Sequence, residues 1–149
     1  MKTVRQVLEK KGTEIWSIAP DRSVYDALKM MAEKEVGALI VLEEGQVRGI
    51  LSERDYARKV ILQGLSSPQT LVRDIMTTIV VYVRPEQTIE EGMALMTDKR
   101  CRHLPVMENG RLFGLLSIGD LVKASLSEQQ ILIEHLENFI TGSFPESGT

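Results

Sequence analysis

The sequence predicts an α+β fold made of two pseudo-twofold-related β-α-β-β-α units and a C-terminal helix. Two observations predict it. Displaced by 65 residues, the chain matches itself without a gap: Pro20 falls on Pro85, Met31 on Met96, Leu39 on Leu104, Val41 on Val106 and Gly45 on Gly110, then Gly49 on Gly114, Leu51 on Leu116, Ser52 on Ser117 and Asp55 on Asp120. Within each copy, a stretch of helical periodicity precedes two apolar runs of strand length around a turn signal. An open solenoid needs at least about three repeats, so two copies should close on each other as a pair. Function is expected in the cleft between them.

Each element follows from its own residues. Val4 to Glu9 reads as a short helical lead, and Glu14 to Ile18 as an extended stretch that stops at Pro20. Asp21 or Ser23 caps a helix whose apolar residues Val24, Ala27, Leu28, Met31 and Ala32 recur at helical spacing, with Gly37 expected near its C-cap. Ala38-Leu39-Ile40-Val41-Leu42 is a strand-length apolar run, Glu43-Glu44-Gly45-Gln46 a hairpin turn, and Val47 to Leu51 the partner strand. Ser52 then opens a helix through Glu53-Arg54-Asp55 that continues along Tyr56, Ala57, Val60, Ile61 and Leu62. Gly64 to Pro68 is a linker, and Val72 to Met76 a short helix leading into the second unit.

The second copy repeats the order: Ile79 to Val83 extended, Pro85, a helix around Ile89 to Met96, strands at Leu104 to Met107 and Leu112 to Leu116, and a helix from Ser117 onward. Asn109-Gly110 is its hairpin signal. The last helix runs on from about Leu121 to Ile140 with an apolar stripe of Ile131, Leu132, His135, Leu136, Phe139 and Ile140, which should cover something, and Thr141 to Thr149 should fray. The expected organisation is repeat 1 over 1–66, repeat 2 over 67–127, and helix and tail over 128–149.

Composition narrows the function classes. The 149 residues suffice for one domain with a real core, and 43% hydrophobic with 26% charged residues is ordinary globular content. A net charge of −3 and a pI near 5.5 argue against a nucleic-acid surface, which would carry a basic stripe. No apolar run reaches the roughly 18 residues needed to span a bilayer and no signal-peptide pattern opens the chain, so the expected location is the cytoplasm, with no membrane partner. The single cysteine, Cys101, has no disulfide partner and no cluster for zinc. No Ser-His-Asp or Cys-His set, metal cluster or Walker loop is evident, so the chain is expected not to be an enzyme and to hold no metal.

Ser52 and Ser117 fall where a strand ends and a helix begins, which is at once a cap position, worth about 1 kcal/mol, and an anion site of free backbone N–H groups. Asp55 and Asp120 place a carboxylate one turn on. A carboxylate that accepts two hydrogen bonds suits the vicinal hydroxyls of a ribose and repels phosphate, so sugar at the Asp and phosphate farther along describe a nucleotide.

The doubled unit, Asp74-Ile75-Met76-Thr77, Arg102-His103-Leu104-Pro105-Val106, and above all Gly49-Ile50-Leu51-Ser52-Glu53-Arg54-Asp55 with Gly114-Leu115-Leu116-Ser117-Ile118-Gly119-Asp120, resemble a tandem pair of cystathionine-β-synthase (CBS) domains, the Bateman module. The resemblance runs from about Val4 to Ser125 and is to the small stand-alone bacterial type. It implies pockets shared cross-wise between the repeats. In the first, Ile50, Ser52, Arg54 and Asp55 face Thr77, Thr78, Ile79 and Val80 together with Cys101, Arg102 and His103. In the second, Ser117, Gly119 and Asp120 face Thr13, Ile15, Val36, Gly37 and Ala38. The first pocket has the cationic side, and Arg58 and Lys59 follow Asp55 toward it; the second is expected to carry little positive charge of its own.

The reading that results is a non-catalytic sensor with no obligatory cofactor. Its regulatory ligand is an adenine nucleotide, AMP first, with ATP, ADP or NAD(H) as further candidates. It is expected to form a homodimer and to act on an unidentified regulated protein, with no nucleic-acid partner. Two alternatives stand beside it: an NAD-linked redox accessory protein in which Cys101 matters, and a structural dimerisation module with degenerate pockets.

Overall fold

Capping decides where the helices start. Thr3, Ser23 and Thr88 each take up extended backbone and accept the N–H three residues on, which begins helices α1 (Val4–Lys11), α2 (Val24–Lys34) and α5 (Ile89–Lys99). The computed structural model describes residues 1–78 and 80–141. Besides these helices it contains β1 (Ser17–Ile18), β2 (Ala38–Glu43), β3 (Gln46–Ser52), α3 (Glu53–Tyr56), α4 (Val72–Ile75), β4 (His103–Glu108), β5 (Arg111–Ser117) and α6 (Ile118–Thr141). The fold is α+β. Ile79, and the expected frayed tail from residue 142 on, lie outside the described residues.

The two hairpins are superimposable in register. Ala38 pairs Ser52 and Glu43 pairs Gln46 in the first; His103 pairs Ser117 and Glu108 pairs Arg111 in the second, with a bulge at the same point. Both turns hold two residues at positive φ, Glu44 (53°) and Gly45 (76°) against Asn109 (52°) and Gly110 (75°), the signature of a type I′ turn.

Three local expectations are corrected. Helix α2 ends not near Gly37 but at Glu35, left-handed at φ 55°, and α5 ends the same way at Arg100, φ 54°. The helix expected from Ser52 through Leu62 is α only to Tyr56 and continues as a π segment, Ala57–Ile61, that buries Val60 and leaves Ile61 and Leu62 exposed. The third difference concerns the first strand of the second unit. In the first unit β1 lies parallel to β2, with Ile40 N–H donating to Trp16 C=O at 3.2 Å. Pro105 occupies the position of Ile40 and has no N–H to give, so the counterpart shrinks to one parallel bridge, Val83 to Val106.

The core forms two clusters. One gathers Ile18, Val24, Ala27, Met31, Leu39, Val41, Leu51 and Val60, the other Val83, Ile89, Met96, Leu104, Val106, Leu116 and Leu121. Each is completed by a helix from the far side of the repeat. Val4, Val7 and Leu8 of α1 enter the second cluster, and Val72 and Ile75 of α4 enter the first. The backbone repeats this exchange bond for bond. Val4 N–H donates to Gln87 C=O at 2.8 Å and Arg5 N–H to Pro85 C=O at 2.9 Å, as Val72 donates to Arg22 at 2.9 Å and Arg73 to Pro20 at 2.9 Å.

Helix α6 departs from expectation. Leu121 and Ala124 are buried, but Ile131, Leu132, Leu136, Phe139 and Ile140 are exposed, Phe139 to 84%, so the stripe covers nothing among the described residues.

Candidate functional site

Ser52 ends β3 and begins α3 because its hydroxyl accepts Asp55 N–H at 3.2 Å, while Asp55 Oδ2 accepts the Ser52 N–H at 3.0 Å and its hydroxyl at 3.1 Å. This reciprocal box fixes the carboxylate at the lip of the strand. Its other oxygen, Oδ1, accepts from Thr77 Oγ1 at 3.2 Å and pairs with Lys59 Nζ at 3.1 Å. Thr77 arrives there because its backbone bridges Ile50 in both directions, at 2.9 and 3.0 Å. The chain can come so close only because residue 49 is glycine: a Cβ there would stand 2.6 Å from the Thr77 carbonyl oxygen.

A cavity of about 660 Å³ opens at this carboxylate, between the β2–β3 half and the β4–β5 half. Of the residues expected in the first pocket, it is lined by Ile50, Ser52, Arg54, Asp55, Thr77, Val80, Cys101, Arg102 and His103. Thr78 instead borders a neighbouring depression of about 420 Å³ that shares Val80, and Ile79 lies outside the described residues. Residues not among the expected pocket set also line it: Glu53, Lys99, Arg100, Val81 and Pro105, and Gly37, which was assigned to the other pocket. Lys99 and Arg100 were legible as part of the run Lys99-Arg100-Cys101-Arg102-His103.

The wall combines cationic and apolar residues. Arg54, Arg58, Lys59, Lys99, Arg100 and Arg102 supply cations; Ile50, Val80, Val81 and Pro105 supply an apolar face. Arg54 Nη1 donates to the Arg100 carbonyl at 3.2 Å, tying α3 to the turn after α5. Burial, with help from the Lys11 and Arg102 charges, outweighs the Asp120 carboxylate and lowers the His103 pKa, so the ring is held neutral. Burial pushes the Cys101 thiol up, away from the thiolate form that redox or nucleophilic chemistry uses.

The second set of residues assembles differently. Ser117 and Asp120 reproduce the box, Ser117 N–H donating to Asp120 Oδ2 at 2.8 Å and Asp120 N–H to Ser117 Oγ at 3.1 Å. Gly37 sits against His103, where a Cβ would stand 3.5 Å from the ring. Thr13, Ile15, Val36, Ala38, Ser117, Gly119 and Asp120 line neither cavity. The expectation of little positive charge is corrected: α1 runs a full turn longer than α4, and Lys11 in that extra turn places its ammonium 2.6 Å from Asp120 Oδ2 and 2.7 Å from the Leu115 carbonyl. Those are the counterparts of Asp55 and of the Ile50 carbonyl, so one lysine amine does for this half what the Thr77 hydroxyl and N–H do for the other. Burial would raise the Asp120 pKa, but the Lys11 ammonium and the Ser117 N–H outweigh it and hold the carboxyl below the usual range.

Among the described residues no group of three or more His, Cys, Asp or Glu could hold a metal, and no helix is long and apolar enough to cross a membrane.

Comparison with known proteins gives a consistent picture. The CBS domain family model matches residues 4–61 and 72–127. A mitochondrial CBS domain-containing protein of Arabidopsis thaliana, CBSX3, is 40% identical over 152 residues, covering 95% of this chain and 73% of its own length. A solved structure of a candidate signal-transduction protein with CBS domains from Burkholderia ambifaria is 51% identical with a TM-score of 0.83, covering 86% of this chain and 96% of that one. At 18% identity and a TM-score of 0.76, over 86% of this chain and 98% of that one, the CBS domain pair of protein MJ0100 shares the fold; it was solved in complex with 5′-methylthioadenosine and S-adenosyl-L-methionine.

Proposed function

The chain belongs to the CBS domain family, as a tandem pair, and from that premise we propose that it is a non-catalytic regulatory module that binds an adenine nucleotide between its two repeats. The observation that carries this reading is the Asp55 carboxylate on the wall of a cavity whose other walls are cationic and apolar. Ribose hydroxyls donate to Asp55, phosphate meets the arginines, and the base lies on Ile50, Val80, Val81 and Pro105. AMP, ADP, ATP and NAD(H) all present these three parts, AMP being the smallest that does. That the MJ0100 pair was solved with two adenosine compounds supports the adenosine class. The raised thiol of Cys101 speaks against the redox alternative.

The mechanism is a population shift. A ligand gripped by β3–α3 of one repeat and the α5–β4 turn of the other favours the arrangement of halves in which both grips are made, to the extent of its differential affinity. The exposed stripe of α6 is assigned to a second copy of the chain, making a homodimer that acts on a regulated protein in the cytoplasm. Thermal unfolding against AMP, ADP, ATP, NAD, NADH, GTP and S-adenosylmethionine tests the reading: an adenine nucleotide raises the midpoint and Asp55→Ala removes the rise. No rise with any of them would leave only the structural dimerisation module.

A further inference from the structure

Within a chain of net charge −3, the cavity at Asp55 gathers six cations, Arg54, Arg58, Lys59, Lys99, Arg100 and Arg102, against two carboxylates, Glu53 and Asp55. One of those carboxylates is already committed to Lys59. Lys99 stands 3.7 Å from Asp98, whereas Arg58, Arg100 and Arg102 have no ion-pair partner among the described residues. Like charges brought together repel by about 1 kcal/mol per pair at 4 Å in bulk water and more beside protein. The excess over the two lining carboxylates is four positive charges, three once Asp98 is set against Lys99, in a molecule that is elsewhere acidic. Sequence distance does not explain it, since the six come from α3 and the π segment of one half and from the end of α5 and the turn after it in the other.

We propose that this cavity selects nucleoside polyphosphates over monophosphates, with Arg58 and Arg102 as the residues that set the preference. The proposal rests on the adenine-nucleotide reading above and narrows it. A monophosphate carries about two negative charges, and each further phosphate adds about one, so a di- or triphosphate meets the unbalanced charge of the rim where a monophosphate leaves part of it unmet. Position agrees with charge. Asp55 fixes the sugar, and Arg58 lies three residues on, one turn along the same helical segment, while Arg102 faces it from the other repeat. A guanidinium on each side suits a flexible chain of phosphates, which it grips by paired N–H donors. Neutral or cationic adenosine compounds gain nothing from this rim.

Isothermal titration calorimetry on the full chain with AMP, ADP, ATP, 5′-methylthioadenosine and inorganic tripolyphosphate tests it. At 0.05 M salt, ATP should bind at least about 10-fold more tightly than AMP, and the ratio should fall toward one as salt approaches about 0.5 M, because screening acts on the phosphate tail more than on the buried sugar contact. Arg58→Gln/Arg102→Gln should cost ATP about 10-fold and AMP less than about 3-fold. AMP binding as tightly as ATP, or a ratio unchanged in the double variant, overturns the polyphosphate preference and leaves the adenine-nucleotide reading standing. Tripolyphosphate binding without any adenosine compound binding overturns both, leaving a site for inorganic polyanions. No binding by any of the five overturns both.

Discussion

Asp55→Ala is the perturbation whose size can be worked from the structure. The side chain is 13% exposed and accepts from Ser52 N, Ser52 Oγ and Thr77 Oγ1 while pairing with Lys59. Removing it opens the box at the start of α3, about 1 kcal/mol, and forfeits the Thr77 hydrogen bond, about 1 kcal/mol more. The half-exposed Lys59 pair adds about 0–1 kcal/mol, since its ammonium keeps the Ile75 carbonyl at 2.9 Å. The sum, about 2–3 kcal/mol, lowers the melting midpoint by roughly 5–10 °C in a chain of this length without unfolding it. Binding loses more. Two hydroxyl bonds to a charged acceptor are worth about 3 kcal/mol together, a dissociation constant raised by a factor of about 100. A nucleotide at 100 times the parent's dissociation constant stabilises the parent by about 2.7 kcal/mol and the variant by about 0.4 kcal/mol. Urea unfolding followed by circular dichroism, with and without nucleotide, measures both quantities. A variant whose stability lies within about 0.5 kcal/mol of the parent refutes the hydrogen-bond assignment, and one that keeps the full nucleotide gain refutes the sugar site.

Other expected outcomes follow from neighbouring contacts. Lys11→Met strips the ammonium from Asp120 and leaves only Ser117 to oppose burial, so the Asp120 carboxyl titrates higher than in the parent by carbon-13 NMR. The stability that the parent keeps above the ordinary carboxylate value, and loses as pH falls through the lowered folded value, is correspondingly smaller in this variant. His103 has the same sign: because its folded pKa is lowered, the unfolded chain takes the proton first, and the parent loses stability as pH drops below 6.5 toward the lowered value. His103→Gln flattens thermal unfolding midpoints across that window. Gly49→Ala drives a Cβ into the Thr77 carbonyl and costs about 1–3 kcal/mol, read by urea unfolding; a neutral result would show that the Ile50–Thr77 bridge is not tight in solution.

Much of the architecture was legible because the repeat is written in residues whose reasons are local. Asn109-Gly110 demands a tight turn, Ser52 and Ser117 demand helix starts, and the 65-residue displacement carries one hairpin onto the other. The first cavity was legible from such turns only in part: Ile50, Ser52, Arg54 and Asp55 sit at the Ser52 turn, while Thr77, Val80, Cys101, Arg102 and His103 came from the family resemblance. The second half was not. There the displacement breaks down, because the hydrogen bonds of α1 match those of α4 at a spacing of 68 and the extra turn that carries Lys11 has no counterpart. A lysine at the end of an amphipathic helix reads as solvated, and only the fold brings it to Asp120. Pro105 is the opposite case. Its lost N–H was visible in the sequence, but its effect depended on which strand lay beside it. The periodicity of α6 gave an apolar stripe correctly and could not say what it faces.

The exchanged helices α1 and α4 carry a consequence for ancestry. Cut the molecule at its midpoint and each fragment is left holding a strut that belongs to its neighbour's interior, with a greasy socket of its own unfilled. A solitary half-length forebear would have met the same difficulty and solved it by trading struts with a twin, the two sockets filling each other. Joining the twins end to end keeps the trade and makes it unimolecular, after which the halves are free to diverge, as the threonine of one and the lysine of the other have done.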